Sequence, residues 1–174
     1  DRSSAYMSGG SQPNEDLIQR WLKEPYLQQA PPKSTGRELF GRLDLAQRLA
    51  AMQTRSQEPN QQSSQQPNPA NALATLTAFS AAVIGQDLAK GPPVQELLVA
   101  GGGCRNGLLM EELQRRCRGT RVRPLAELGI GDSDREALAF ALLAWWHALG
   151  HPGNLPSVTG ASRPAVLGVC VNPA

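Results

Sequence analysis

The chain has 174 residues, of which 40% are apolar and 18% charged, with a net charge of +2. That length holds one domain of ordinary size with a real core, and the composition excludes disorder of the chain as a whole. So small a charge excludes the electrostatic argument for a nucleic-acid or acidic-membrane partner.

Residues 1–13 are rich in Ser and Gly and carry little pattern. Asn14 reads as a helix cap with Glu15 and Asp16 in the first turn. Leu17, Ile18, Trp21 and Leu22 form one apolar stripe, which Pro25 is expected to end. Residues 31–38 read Pro-Pro-Lys-Ser-Thr-Gly-Arg-Glu. The prolines stiffen an extended entry, and Ser34 or Thr35 is placed to cap a following helix. Leu39, Phe40, Leu43 and Ala46 supply its expected buried face. Lys33 and Arg37 offer charge to an anion, although a solvated helix start uses the same residues.

Residues 53–70 are dominated by Gln, Ser, Asn and Pro. Such a composition cannot bury enough surface to order itself, so a flexible insertion is expected. Residues 72–88 have helical spacing, with Leu73, Leu76, Val83 and Ile84 near one face. Gly91-Pro92-Pro93 then stops the chain.

Residues 94–100 end in a continuous apolar run, as a strand buried on both faces does. Gly101, Gly102 and Gly103 follow with no spacer. Asn106 opens a helical segment in which Leu109, Leu113 and Cys117 share a face. Glu111 and Glu112 lie early in it, Arg115, Arg116 and Arg118 late, and Gly119 suits its end. The pattern is strand, glycine turn, helix. Such a turn exposes backbone N–H groups to a ligand, and the helix start favours an anion such as phosphate. A turn of this kind also serves tight packing alone, and the pattern leaves both roles open. It is neither the spaced G-x-G-x-x-G of dinucleotide folds nor a P-loop, whose Lys-Ser/Thr it lacks.

A second short strand is expected over 121–125, with Pro124 placing it at an edge or strand end. Ser133 and Glu136 form a capping-box pattern. The helix over 134–149 is apolar nearly all round and is expected to be central. Ala137, Ala141, Ala144 and Ala148 make a small-residue stripe, and Trp145 and Trp146 are expected to fill core or interface. Residues 153–161 form a polar, glycine-bearing loop, and 166–171 read as a closing apolar strand. His147 and His151 are four apart, but Gly150 breaks the helix between them. Dipole and surface roles are expected there, and no metal site.

Cys104, Cys117 and Cys170 show no C-x-x-C spacing. Their odd number gives no disulfide framework, so a reducing compartment is expected. No apolar run approaches the ~20 residues that span a bilayer. No basic-then-apolar leader stands at the start. The first residue is Asp1 rather than Met, which reads as a fragment.

Five stretches together resemble the anhydro-N-acetylmuramic acid kinase family. They are Pro-Pro-Lys-Ser-Thr-Gly-Arg-Glu at 31–38, Ala-Thr-Leu-Thr-Ala at 74–78, Val-Ala-Gly-Gly-Gly-Cys-Arg-Asn at 99–106, Glu-Ala-Leu-Ala-Phe-Ala at 136–141, and Gly-Asn-Leu-Pro-Ser-Val-Thr-Gly-Ala at 153–161. They stand in the family's order from about residue 13 to the end. The resemblance implies a cytoplasmic bacterial sugar kinase of the actin, hexokinase and Hsp70 superfamily. It implies an α/β, RNase-H-like fold, helix-rich with a small mixed or parallel sheet. It implies ATP, Mg2+ and an amino sugar as ligands, with no nucleic acid and no membrane.

This chain is then expected to be the second, C-terminal domain of a two-domain kinase. Its partner would be a missing N-terminal domain, with a homodimer a further partner to consider. The implied reaction opens the anhydro bridge of 1,6-anhydro-N-acetylmuramic acid with water and phosphorylates O6, in cell-wall sugar recycling. The family's catalytic aspartate lies in a Gly-Asn-x-x-x-Asp segment that this chain lacks. No catalytic residue is therefore expected here, and the base is expected upstream of Asp1. Carried over by motif, Gly101, Gly102, Gly103 and Asn106 bind the nucleotide and Glu136 the sugar. The competing class is a non-catalytic binding module derived from such a kinase. A methyltransferase-like nucleotide site is a third reading, disfavoured by the clustered glycines.

Overall fold

The computed structural model of the protein describes residues 12–53, 68–131 and 134–171. Helix α1 (Glu15–Trp21) begins at Asn14, whose side chain accepts the Leu17 amide at 3.1 Å. The Asn14 amide in turn donates to Thr75 Oγ1 at 3.0 Å, which fastens this helix start to a distant helix. Pro25 does not end α1; it opens a further short helix, α2 (Pro25–Gln28). Proline suits a first helical position because the N–H it lacks has no partner there.

Neither Ser34 nor Thr35 caps a helix. The Gly36 carbonyl accepts the Leu39 and Phe40 amides at 3.3 and 3.1 Å, so a tight turn intervenes. A Cβ at Gly41 would collide with the Arg37 carbonyl, and only glycine permits that turn. Helix α3 therefore spans Arg42–Gln53. Leu43 is 82% exposed, Leu39 and Ala46 also face solvent, and the helix buries Arg48 and Met52 instead. The Arg48 guanidinium lies 4.4 Å from the Phe79 ring and 4.8 Å from Trp21. It pairs with Asp44 at 2.8 Å and Glu24 at 2.9 Å. Burial pulls its pKa down, and the two carboxylates more than reverse that.

Helix α4 (Pro69–Lys90) starts within the stretch expected to be a flexible insertion, capped by Asn68 through the Ala70 amide. Residues 54–67 of that stretch lie outside the described residues. Of the expected face, Leu76 and Val83 pack on the core, but Leu73 and Ile84 are each 41% exposed. What α4 buries is Ala74, Thr75, Ala78, Phe79, Ala81 and Gly85. Small residues let neighbours approach closely; a Cβ at Gly85 would stand 3.2 Å from the Arg116 carbonyl oxygen. By length and apolarity α4 is also a helix that could cross a bilayer, contrary to the composition reading. Its alanine face is packed against α1 and the helix that follows, as in a core helix.

Strands β1 (Glu96–Val99) and β2 (Arg121–Pro124) run parallel, Glu96 opposite Arg121 and Val99 opposite Pro124. Helix α5 (Gly107–Arg116) crosses between them, giving a β-α-β unit. One sheet face, Leu97, Val99 and Val122, packs on Leu109, Leu113 and Cys117. The other carries Glu96 and Leu98, both exposed, so β1 is not buried on both faces. An ion network ties α1 to α5. Arg116 reaches Glu15 and Glu112, each at 2.8 Å, and Arg115 reaches Glu112 at 2.7 Å. The described architecture is α/β, helix-rich with a small parallel sheet.

Helix α6 (Asp134–Ala148) and the short α7 (Pro156–Thr159) complete the elements. The expected central helix is not central here, for α6 has no buried residue. Phe140 is 71% exposed and Trp145 60%. Residues 166–171 join no ladder among the described residues, so the expected closing strand is absent. A strand needs a neighbour's edge and an apolar helix needs a groove; the described residues supply neither at this end. Ser133, and with it the capping box, lies outside the described residues.

Candidate functional site

The most structured candidate is the turn after β1. Gly101 has φ 79° and ψ −167°, a backbone only glycine adopts readily. The chain then makes a 3-10 turn, Gly102–Arg105, in which the Cys104 amide donates to the Gly101 carbonyl at 3.2 Å. The Cys104 thiol donates to the Val99 carbonyl at 2.9 Å and pins the turn to the strand end. Asn106 closes the turn and caps α5, its side chain accepting the Leu109 amide at 3.1 Å. Asn106 is thus a cap by geometry, and any ligand contact would come from its backbone or its remaining amide donors.

The three glycines differ. A Cβ on Gly103 would meet Leu109 at 3.3 Å, whereas one on Gly101 or Gly102 would meet nothing within 4 Å. Packing accounts for Gly103, and the positive φ accounts for Gly101. Neither accounts for Gly102, whose backbone is open to space at a helix start. The turn also stands at the carboxyl ends of two parallel strands, where α/β sheets bind ligands. Near that end of β2, Arg123 reaches back to Glu96 at the start of β1, at 2.9 Å. Its Nε is buried and lacks a partner among the described residues.

Glu136 lies in the first turn of α6, 80% exposed, with Arg135 at 3.7 Å. Of the stretches behind the resemblance, two meet: a Cβ on Gly160 would stand 3.6 Å from Pro32. Lys33 is committed to Asp87 at 3.6 Å and lies 5.2 Å from the Tyr26 ring, so it ties its loop to α4. Arg37 is exposed at the edge of a second groove. His147 donates from Nδ1 to the Leu167 carbonyl at 2.9 Å. No group of three His, Cys, Asp or Glu side chains that could hold a metal ion occurs among the described residues.

Two features escaped the sequence reading. One is a groove of about 680 Å³ whose lining includes Tyr26, Lys33, Phe40, Arg48, Phe79 and Asp87. Its charged side chains are paired with one another, so it presents no surplus charge. The other is Asn154, which accepts the Ala165 amide at 2.7 Å and donates to the Arg163 carbonyl at 3.1 Å. Only the asparagine inside a glycine-bearing loop hinted at that clamp.

Comparison with known proteins supplies the remaining information. The family model described as anhydro-N-acetylmuramic acid kinase matches residues 1–173. An anhydro-N-acetylmuramic acid kinase of Synechococcus sp. (strain WH7803) is 56% identical over 165 residues, covering 92% of this chain and 40% of that protein. The one of Parasynechococcus marenigrum (strain WH8102) is 52% identical over 179 residues, covering 100% of this chain and 44% of that protein. That of Prochlorococcus marinus (strain MIT 9211) is 47% identical over 166 residues. The chain therefore spans less than half the length of the curated relatives it matches. A match over residues 1–173, with the glycine turn and the asparagine caps inside it, shows that the chain belongs to the anhydro-N-acetylmuramic acid kinase family.

Proposed function

We propose that this chain is the second domain of a longer, two-domain sugar kinase with an RNase-H-like, actin-related fold. The parent transfers the γ-phosphoryl group of ATP to O6 of 1,6-anhydro-N-acetylmuramic acid. Water adds to the anomeric carbon, the C1–O6 bond breaks, and O6 takes the phosphoryl group, leaving ADP and N-acetylmuramic acid 6-phosphate. The names of the relatives support the reaction, and their length supports the division.

The observation that carries the nucleotide role is the open backbone at Gly101 and Gly102. Amide N–H groups at a strand end, followed by a helix N-terminus, hold phosphate oxygens through hydrogen bonds and the helix dipole. This chain's residues bind and orient; the base that takes the proton from water lies elsewhere in the parent. The described side chains include no set fit to hold magnesium by themselves, so no step is assigned to it. Glu136 is the proposed sugar contact, its exposed carboxylate, only loosely paired with Arg135, able to accept hydrogen bonds from sugar hydroxyls. A cytoplasmic place in cell-wall sugar recycling follows from that substrate.

The test is phosphoryl transfer measured on the parent and on the 174-residue chain. The parent is expected to turn over the anhydro sugar and the isolated chain is not. General-base help alone contributes about 10²–10⁴-fold, and lost positioning costs more. In the parent, Glu136→Ala should lose about 10–150-fold in kcat/KM, the loss expected for a charge-assisted hydrogen bond. Full kcat/KM in that variant would make Glu136 a helix-start residue only. Turnover by the isolated chain would overturn the division of labour. A parent that binds ligand without turnover would instead be a binding module.

A further inference from the structure

One end of the molecule has a surface unlike the rest. Between Ala137 and Val171 the only Asp, Glu, Lys or Arg is Arg163, in a chain holding 32 such residues. The apolar side chains there are not hidden. Leu138, Leu142, Trp145 and Leu149 share one face of α6 by their spacing, and each is at least 41% exposed. Phe140, 71% exposed, stands on the opposite face. Residues 166–171 then present apolar side chains at both parities, with Val166 43%, Val169 86% and Val171 83% exposed. Apolar residues on both faces are the pattern of a strand inside a sheet that is covered on both sides.

This segment is also held in place. The Gly153 amide donates to the Ala165 carbonyl at 3.0 Å, Asn154 clamps residues 163 and 165, and His147 holds the Leu167 carbonyl. The straps fix the start of the segment against the end of α6. Gly168 turns the backbone at φ 94°, and residues 169–171 after it lie outside any ladder among the described residues, a short edge that another strand can pair.

We propose that α6 and residues 166–171 form one docking surface for the part of the parent polypeptide outside this chain, with residues 169–171, past the turn at Gly168, adding as a short strand to a sheet which that part supplies. This rests on the reading of the chain as one portion of a longer kinase. More than half of each relative lies outside the match, so a polypeptide large enough to cover the surface is at hand. A second copy of this chain fits less well. A two-fold contact covers one patch per protomer, whereas here two opposed helix faces and a strand edge all need cover.

Cys170 provides a built-in reporter, because it is exposed within the segment, while Cys117 is buried. Burial also pushes the Cys117 thiol pKa up, which makes it a slow internal reference. The experiment is iodoacetamide labelling of the 174-residue chain and of the parent, with mass spectrometry resolving each cysteine and sedimentation giving the oligomeric state. Cys170 should react like a free thiol in the chain alone and about 100-fold more slowly in the parent, where reaction needs local opening. Val169→Lys should leave the helix content and melting temperature of the isolated chain unchanged, yet raise Cys170 labelling in the parent about tenfold.

Equal Cys170 labelling in chain and parent would overturn the proposal, as would a Val169→Lys parent that labels like wild type. A dimer of the isolated chain with Cys170 already protected would assign the surface to a second copy and overturn it too. Turnover measured on the same parent sample separates this surface from the kinase reading. Protected Cys170 without turnover keeps the surface and removes the reaction; turnover with open Cys170 does the reverse.

Discussion

Leu17 in α1 is fully buried, while Leu138 in α6 is 54% exposed. Each lies on a helix with an apolar stripe, and the stripe alone does not separate them. What separates them is cover. Among the described residues up to 124 the main apolar faces meet partners in the same chain: α1 and α3 on α4, α4 on α5, α5 on one face of the sheet. From residue 134 onward α6 meets none among the described residues that buries it. An apolar helix thus tells where surface must be buried without telling what buries it.

Substitution sharpens this comparison. The largest effect is expected at Arg48, which is 3% exposed and clamps α3 to α1 and α4. Arg48→Ala leaves Asp44 and Glu24 without their cation and opens space beside Phe79. A loss of about 3–5 kcal/mol is expected in chemical denaturation of this chain. Arg48→Met refills the volume and should recover part of it. A loss under about 1 kcal/mol for the alanine variant would show that the first region is not held as described.

The next effect is a pH dependence. Hydrogen bonding from Arg116 and then Gln19 holds the Glu15 carboxyl at about 2, below its ordinary 4.5, against some burial. A carboxyl with a depressed folded pKa adds stability above its unfolded pKa and loses it as pH falls through the folded value. Midpoints of denaturation should therefore drop between about pH 4.5 and pH 2. Glu15→Gln should flatten that part of the profile. Because the side chain is 45% exposed, salt should weaken the effect. An unchanged slope in the variant would remove the α1–α5 network from the account.

The smallest effect belongs to the other region. Phe140→Ser should change the stability of the isolated chain by no more than about 0.5 kcal/mol, since the side chain is mostly exposed. A loss like that of a buried aromatic, about 3–5 kcal/mol, would erase the contrast between the regions.

Sequence reading found what short-range chemistry decides. The Asn14 cap, the glycine turn and the strand expected over 121–125 depend on residues within a few positions of each other, and each forms, the strand ending one residue early at Pro124. It failed where burial depends on distant partners. Arg48 could not be read as a core residue, because its cover combines Asp44 one turn earlier in α3 with Glu24 and the aromatic rings of Trp21 and Phe79 from distant stretches. The face of α4 was read only in part, Leu76 and Val83 but not Leu73 and Ile84, because alanines set most of its buried contacts. The closing strand was misread because a strand exists only beside another. At the candidate site the three glycines look alike in sequence. Only the backbone separates Gly101, which needs its φ, from Gly102, which does not.

That separation makes Gly102 the sharpest probe of the nucleotide role. A side chain at Gly101 strains the turn whatever binds there, and one at Gly103 presses on Leu109. A side chain at Gly102 enters open space and disturbs this chain little. The decisive measurement is calorimetric titration of ATP into the parent, wild type against Gly102→Val, with melting curves alongside. The expected result is an unchanged melting temperature and an ATP affinity weaker by at least about tenfold, as isopropyl carbons replace the approach of a phosphate to backbone N–H groups. An unchanged affinity in an equally stable variant would contradict the assignment of the turn as the nucleotide site.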